Sequence, residues 1–239
     1  MTPGNVSRET KKNWETMPLD RLLTLDRLLT ESARKLGLDL QPEQVSILLK
    51  YLSELMRWNK KINLIGSSTP ADAVVRHLAD SLAALPYLPA HPLKVLDIGS
   101  GGGLPGLIFK VIRPNWSVTL AESNRKKVSF LRDMTRKFNL KDVQVLSARL
   151  KQKTETVPLR DFDLVTARAL APLKNLLPLA RPYLSAGGMI LAYKGPRARQ
   201  EIRDAAGALS SQGLSLTRQE QFKLPFLNHR RALLFFEGN

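Results

Sequence analysis

The feature that most constrains this chain is a short apolar run that ends in a glycine loop. Lys94-Val95-Leu96-Asp97-Ile98 reads as a short buried strand. Gly99-Ser100-Gly101-Gly102-Gly103 follows at once, and a helix is expected over about 104–112. In a doubly wound α/β sheet, ligands bind at the carboxyl ends of strands where the strand order reverses. Glycines there let the backbone bend tightly and approach a ligand closely. Pro105 suits a first helical turn, because its missing N–H is not needed there.

The loop alone leaves the ligand open. Gly101-Gly102-Gly103-Leu104-Pro105-Gly106 matches G-x-G-x-x-G, which nicotinamide enzymes also carry. Asp97, directly before the loop, pulls the other way. A carboxylate there can face the ammonium of a methionine moiety, whereas it would repel a pyrophosphate. Glu122 closes the next strand, where an acid accepts hydrogen bonds from ribose hydroxyls. That role serves either nucleoside cofactor.

The rest of the chain supplies the frame. Helical spacing is read over 19–36 and 42–60, where Val45, Leu48, Leu49, Leu52, Leu55 and Met56 recur at three and four residues. A third helix is expected over 70–84. From 94 onward, short strands alternate with helices: Ser117–Glu122, Val143–Ser147, Phe162–Thr166 and Met189–Lys194, with helices over 125–138, 172–183 and 197–210. Such alternation predicts a mostly parallel sheet covered on both faces. The last strands, 214–222 and Ala232–Glu237, lack a helix between them and form an antiparallel hairpin. The expected fold is a Rossmann-like, seven-stranded doubly wound sheet closed by that hairpin. The expected organisation is a flexible tail over 1–17, a helical region over 18–92 and a cofactor-binding domain over 93–239.

Charge bears on the partner. The 239 residues carry 37 Lys and Arg against 21 Asp and Glu, a formal charge of +16. Residues 1–93 hold 12 basic and 10 acidic side chains, a net of +2; residues 94–239 hold 25 and 11, a net of +14. A domain so basic attracts polyanions, nucleic acid first. There is no cysteine, so thiolate metal sites and thiol nucleophiles are excluded, and His77, His91 and His229 are too scattered for a zinc motif. No apolar run approaches the ~18 residues of a spanning helix. A cytoplasmic monomer away from membranes is expected, with no metal.

Four stretches together resemble the bacterial RsmG (GidB) family, the small-subunit (16S) ribosomal RNA guanine-N7 methyltransferases. The first is Trp58-Asn59-Lys60-Lys61-Ile62-Asn63-Leu64, and the second is Arg76-His77-Leu78-Ala79-Asp80-Ser81. The third runs from Leu96 through Leu104-Pro105-Gly106 to Glu122-Ser123, with Lys127 and Phe130-Leu131-Arg132 beyond. The fourth is Thr166-Ala167-Arg168-Ala169, with Lys194-Gly195 further on. The resemblance implies S-adenosylmethionine as cofactor and 16S ribosomal RNA or the small ribosomal subunit as partner. It implies that Gly99 and Leu104 contact the cofactor and Glu122 holds its ribose, with Arg168 lining the site beyond the fourth strand; Asp97 and Gly101 join the cofactor site on the reading of the loop itself. The family's contact at the adenine end falls on Leu150 and Lys151, where the family's acid is replaced by lysine.

Guanine N7 carries an in-plane lone pair and no proton, so its methylation needs no general base. No catalytic residue is assigned on this reading; Arg76, His77, Asp80 and Arg168 are the candidates. Arg76 and Asp80 stand at i and i+4, the spacing of an ordinary helical ion pair. The resemblance implies instead that they wall the site. Arg125, Lys126, Lys127, Arg132, Arg136 and Lys137 form a basic helical face, and Lys194, Arg197, Arg199, Arg230 and Arg231 are further phosphate candidates. Rival functions are a methyltransferase acting on another RNA base or a small molecule, a nicotinamide-dependent oxidoreductase, and a non-catalytic RNA-binding module.

Overall fold

The computed structural model describes residues 19–150 and 160–238. The expected tail over 1–17 and the lysine at the adenine end, Lys151, lie outside the described residues.

Seven strands form one sheet: β1 (Lys94–Ile98), β2 (Ser117–Glu122), β3 (Val143–Ser147), β4 (Phe162–Arg168), β5 (Leu184–Lys194), β6 (Leu214–Lys223) and β7 (Arg230–Gly238). Their order is β3-β2-β1-β4-β5-β7-β6. The first five are mutually parallel, and β7 runs antiparallel between β5 and β6. The order reverses between β1 and β4, where a doubly wound sheet opens its binding crevice. Lys194 of β5 pairs with Ala232 of β7. The turn between β6 and β7 therefore projects from the same sheet end as the crevice.

Residues on β1 alternate between two cores. Val95 joins Leu107, Phe109, Trp116 and Phe130 on one face, while Leu96 and Ile98 join Leu173, Leu177 and Ile190 on the other. Helices α5 (Gly106–Ile112) and α6 (Arg125–Lys137) cover the first face; α7 (Leu173–Ala180), α8 (Ala198–Asp204) and α9 (Ala206–Gln212) cover the second. The N-terminal helices α1 (Leu19–Lys35) and α2 (Pro42–Asn59) extend the first core, since Leu25, Leu29, Leu48 and Leu55 belong to the same apolar cluster.

The expected third helix is irregular. Helix α3 (Pro70–Ala73) passes into a π-helical turn, Val74–Ala79, and then into α4 (Asp80–Leu82). Other boundaries also differ from the sequence reading. The segment read as one helix over 197–210 is two, joined at Ala205 with φ −96° and ψ 2°. Strand β5 begins five residues early, at Leu184, because Ser185, Gly187 and Gly188 break its apolar signature. Helix α5 begins at Gly106, with Pro105 just outside it as the N-cap. Among the described residues, no helix is long and apolar enough to cross a membrane.

Candidate active site

Two adjoining sub-sites open at the carboxyl end of the sheet. The glycine loop builds the first largely from backbone. Gly99, Gly101 and Gly103 take φ of 71°, 54° and 75°, left-handed values that favour glycine. The N–H groups of Gly99 and Ser100 donate to the Ala121 carbonyl at 2.8 and 3.2 Å, tying the loop to β2. Glu122 completes the tie: its carboxylate accepts from Gly101 N–H at 3.0 Å and from Asn124 N–H at 2.8 Å. The expected ribose ligand is thus also the brace of the loop, and it is buried, with 8% exposure.

Asp97 lies beneath the loop and is fully buried. Its Oδ2 accepts from Gly106 N–H at 3.1 Å, whereas Oδ1 has no partner. Burial pushes this carboxyl up to about 7, against the pull of the Gly106 N–H. A buried carboxylate oxygen without a donor is a place where an incoming cation gains most. The residues present therefore fit the methionine end of S-adenosylmethionine.

The N-terminal helices brace the same loop. Tyr51 of α2, fully buried, donates its hydroxyl to the Gly102 carbonyl. A Cβ on Gly102 would stand 3.0 Å from Leu55 of α2. Periodicity marks Leu55 only as a core position and passes over Tyr51, so sequence reasoning missed their link to the loop. Leu104 is buried beside them, and Leu150 packs on the edge of the second core.

The second sub-site is a cavity of about 870 Å³. That size suits a small-molecule or nucleobase pocket, for which roughly 300–1,000 Å³ is usual. Its floor is a buried charge cluster centred on Asp80, which is 3% exposed. Arg168, at the end of β4, donates from Nη1 to Asp80 Oδ2 at 3.0 Å and to the Arg76 carbonyl at 3.2 Å. Arg231, at the start of β7, donates from Nε to Asp80 Oδ1 at 3.0 Å. Arg168 Nη2 also lies 3.4 Å from His77 Nδ1. Burial, together with the guanidiniums of Arg168, Arg76 and Arg231, holds His77 down to about 3. His77 is therefore neutral, with Nδ1 as the acceptor facing Arg168.

The Arg76–Asp80 ion pair expected from their spacing does not form. Arg76 points toward Asp72, with Nε 3.7 Å from Oδ1, and Asp80 gives both oxygens to arginines from other elements. The π-helical turn between them is the reason: its wider turn takes i and i+4 off the shared α-helical face. Arg168 is held on the pocket side, by Asp80 and the Arg76 carbonyl. Arg231, expected from its charge as a phosphate contact, is instead committed to Asp80 and completes the cluster.

Lys194 needs a correction. Its ammonium is committed to Glu201 and to the Ala171 carbonyl, each at 2.7 Å, and its side chain is 9% exposed. It is a pocket wall, not a free phosphate contact. Arg125, Lys126, Arg132, Arg136 and Arg197 are exposed, and Lys127 is half-buried. Only the first turn of α6 lies beside Glu122; Arg136 is about 16 Å further along the helix at 1.5 Å per residue. Leu170 stands at the border of the two sub-sites, 40% exposed, with its Cδ1 2.6 Å from where a Cβ on Gly99 would lie.

This sheet order with a glycine cradle at the switch point defines a class I methyltransferase. The fold matches a methyltransferase from Pyrococcus furiosus with a TM-score of 0.56 and 19% identity, over 83% of this chain and 100% of that one. It also matches the ribosomal protein L11 methylase of Lactobacillus delbrueckii subsp. bulgaricus with a TM-score of 0.53 and 15% identity, over 69% and 79% of the two chains. The chain belongs to the GidB family, described as rRNA small subunit methyltransferase G, whose pattern matches residues 44–231. A relative named ribosomal RNA small subunit methyltransferase G, from Syntrophus aciditrophicus (strain SB), is 36% identical over 212 residues, 88% of each chain. One of the same name from Polynucleobacter asymbioticus is 37% identical over 214 residues, 87% of this chain and 93% of that one.

Proposed function

We propose that this enzyme methylates a guanine N7 of 16S ribosomal RNA, within the RNA or the small ribosomal subunit, with S-adenosylmethionine as donor. The carrying observation is the Asp80-centred arginine pocket that adjoins the glycine cradle. One sub-site suits a nucleoside with an ammonium; the other suits an electron-rich base. In this reading Asp97 Oδ1 receives the ammonium, Glu122 the ribose hydroxyls and Leu150 the adenine edge, with Gly99, Gly101 and Leu104 shaping the wall.

When bound, the cofactor supplies a methyl group on a sulfonium, already activated, whose bonding electrons leave with sulfur. The chain then has mainly to position the base and exclude water. No side chain need take a proton from N7. A guanidinium fork on both O6 and N7 is a common way to read guanine, but it would occupy the nucleophile. Arg168 and Arg231 therefore serve O6 or the flanking phosphate, and Asp80 holds them off N7. Neutral His77 adds a polar contact without adding another charge to the cluster. The net +14 of residues 94–239 favours an RNA over a small molecule.

The test is a cleavage map of 7-methylguanosine in ribosomal RNA from a deletion strain. Loss of one modification, restored by the wild-type gene, is the expected result. An unchanged map rejects the assignment.

A further inference from the structure

The turn between β6 and β7 is not used by the reaction just described, yet it has an unusual surface. Phe226 and Leu170 are the large exposed hydrophobics among the described residues, and Phe226 is 58% exposed. Leu170 belongs to the pocket. Phe226 takes φ of 60°, a left-handed conformation unfavourable for a bulky side chain. It is not needed to fill the core, because Leu224 and Pro225 are buried beneath the turn. The turn is ordered by Leu224 N–H donating to the His229 carbonyl at 2.9 Å and Leu227 N–H donating to the Leu224 carbonyl at 3.1 Å.

Its surroundings are basic. The Lys35 ammonium at the end of α1 lies 5.3 Å from the centre of the Phe226 ring. Lys35, Lys223 and Arg230 are exposed, and no Asp or Glu occurs between Lys223 and Arg231. Lys35, Lys223 and Phe226 line a shallow depression of about 480 Å³. The turn also belongs to the active end of the sheet: Arg231, one residue into β7, is anchored on Asp80 in the pocket floor.

We propose that this turn is an RNA-docking lip, where Phe226 stacks on an unpaired base and Lys35, Lys223 and Arg230 hold flanking phosphates. It deepens the RNA reading above and rests on it. An exposed aromatic ring among cations is the arrangement that grips single-stranded nucleic acid without reading sequence. A β-turn is held more rigidly than the long cations around it, so Phe226 sets where the strand enters, and Arg231 carries that position to the pocket.

The experiment compares the full chain with Phe226→Ala, Phe226→Trp and the double variant Lys35→Ala/Lys223→Ala. Binding to naked small-subunit ribosomal RNA is measured across a salt series, S-adenosylmethionine binding by calorimetry, and mass by sedimentation. Phe226→Ala should weaken RNA binding roughly tenfold, the usual size for loss of one stacked base, with cofactor affinity and melting temperature unchanged. Phe226→Trp should restore it. The double lysine variant should lower the salt slope by about two. Wild-type RNA affinity in Phe226→Ala overturns the proposal. So does Phe226→Trp binding as weakly as Phe226→Ala, or a change of oligomeric mass as the main effect. Methyl transfer separates this from the catalytic assignment. RNA binding that depends on Phe226, without methyl transfer by the wild type to either the RNA or small subunits from a deletion strain, sinks the assignment and keeps the lip. Full transfer with Phe226→Ala unaffected at limiting RNA does the reverse.

Discussion

The glycine cradle and the arginine pocket share one end of the sheet but are built in opposite ways. The cradle comes from Asp97–Glu122 with Tyr51 behind it, and its shape is set by backbone: three left-handed glycines, N–H groups on Ala121 and Glu122, and Gly106 against Asp97. The pocket is a side-chain assembly. Its central carboxylate meets one arginine 88 residues away and another 151 residues away. Local backbone geometry leaves a mark in sequence, because only glycine fits it cheaply. Long-range side-chain geometry does not. The cradle should therefore fail by steric clash, and the pocket by loss of charge balance.

The largest expected effect is on the pocket side. Asp80→Ala leaves Arg168 and Arg231 facing each other without their counter-charge. Breaking a buried ion pair by removing one partner costs about 3 kcal/mol or more. Arg231 is partly exposed, which brings the expected loss to the low end. Chemical denaturation should show it, with methyl transfer falling while calorimetric cofactor affinity stays near wild type. A loss below 1 kcal/mol would mean that the cluster is not a structural unit.

Next comes a clash within the cradle. A Cβ on Gly106 would stand 2.5 Å from Leu120 Cδ2 and 2.8 Å from Asp97 Oδ2. Gly106→Ala should destabilise the fold by about 1–3 kcal/mol, as overpacking does, and should abolish cofactor binding by displacing Asp97. Unchanged calorimetric affinity would contradict the role given to Asp97.

The third effect is pH dependence. Asp97 sits near 7 in the folded chain, above its ordinary 3.8. The folded chain therefore keeps a proton that the unfolded chain releases, and stability falls as pH rises from about 4 to 7. Only the carboxylate attracts an ammonium, so cofactor affinity should move the other way, strengthening roughly tenfold from pH 6 to pH 8. Asp97→Asn should bind cofactor weakly at every pH and melt no lower than wild type at pH 8. A flat wild-type affinity profile would break this account.

The smallest effects belong to the basic face of α6. Arg125→Ala or Arg132→Ala should leave stability within about 0.5 kcal/mol, as surface changes usually do. Each should reduce the salt slope of RNA binding by about one where it contacts phosphate. An unaltered slope in both would make that face a solvated surface.

How much the sequence reveals follows the same division. Strands β1 to β3 are legible residue by residue from their apolar runs. So are the loop and its two acids, because a strand, a glycine turn and a helix within about 30 residues can be read locally. Strand β5 is legible only in its second half, since Gly187 and Gly188 carry no strand signature. The π-helical turn leaves no trace, because Val74, Val75, Leu78 and Ala79 would be buried on an α-helix as well. The Arg76–Asp80 spacing thus suggests a pair that the backbone prevents. The resemblance brings Arg76, His77, Asp80 and Arg168 together; charge alone marks Arg231 only as a phosphate candidate, and its place on Asp80, like that of Tyr51 on Gly102, is found only from the oxygens that accept their hydrogen bonds.

Arg231→Ala tests the division of labour most directly, because it removes one pocket arginine while Asp80 keeps Arg168. Cofactor affinity and single-turnover methyl transfer to small subunits from a deletion strain should be measured on the same preparation. Two sub-sites with separate tasks predict an unchanged affinity and a transfer rate at least tenfold lower, about 1.4 kcal/mol of lost transition-state positioning. Loss of cofactor affinity, or transfer at the wild-type rate, would contradict that division.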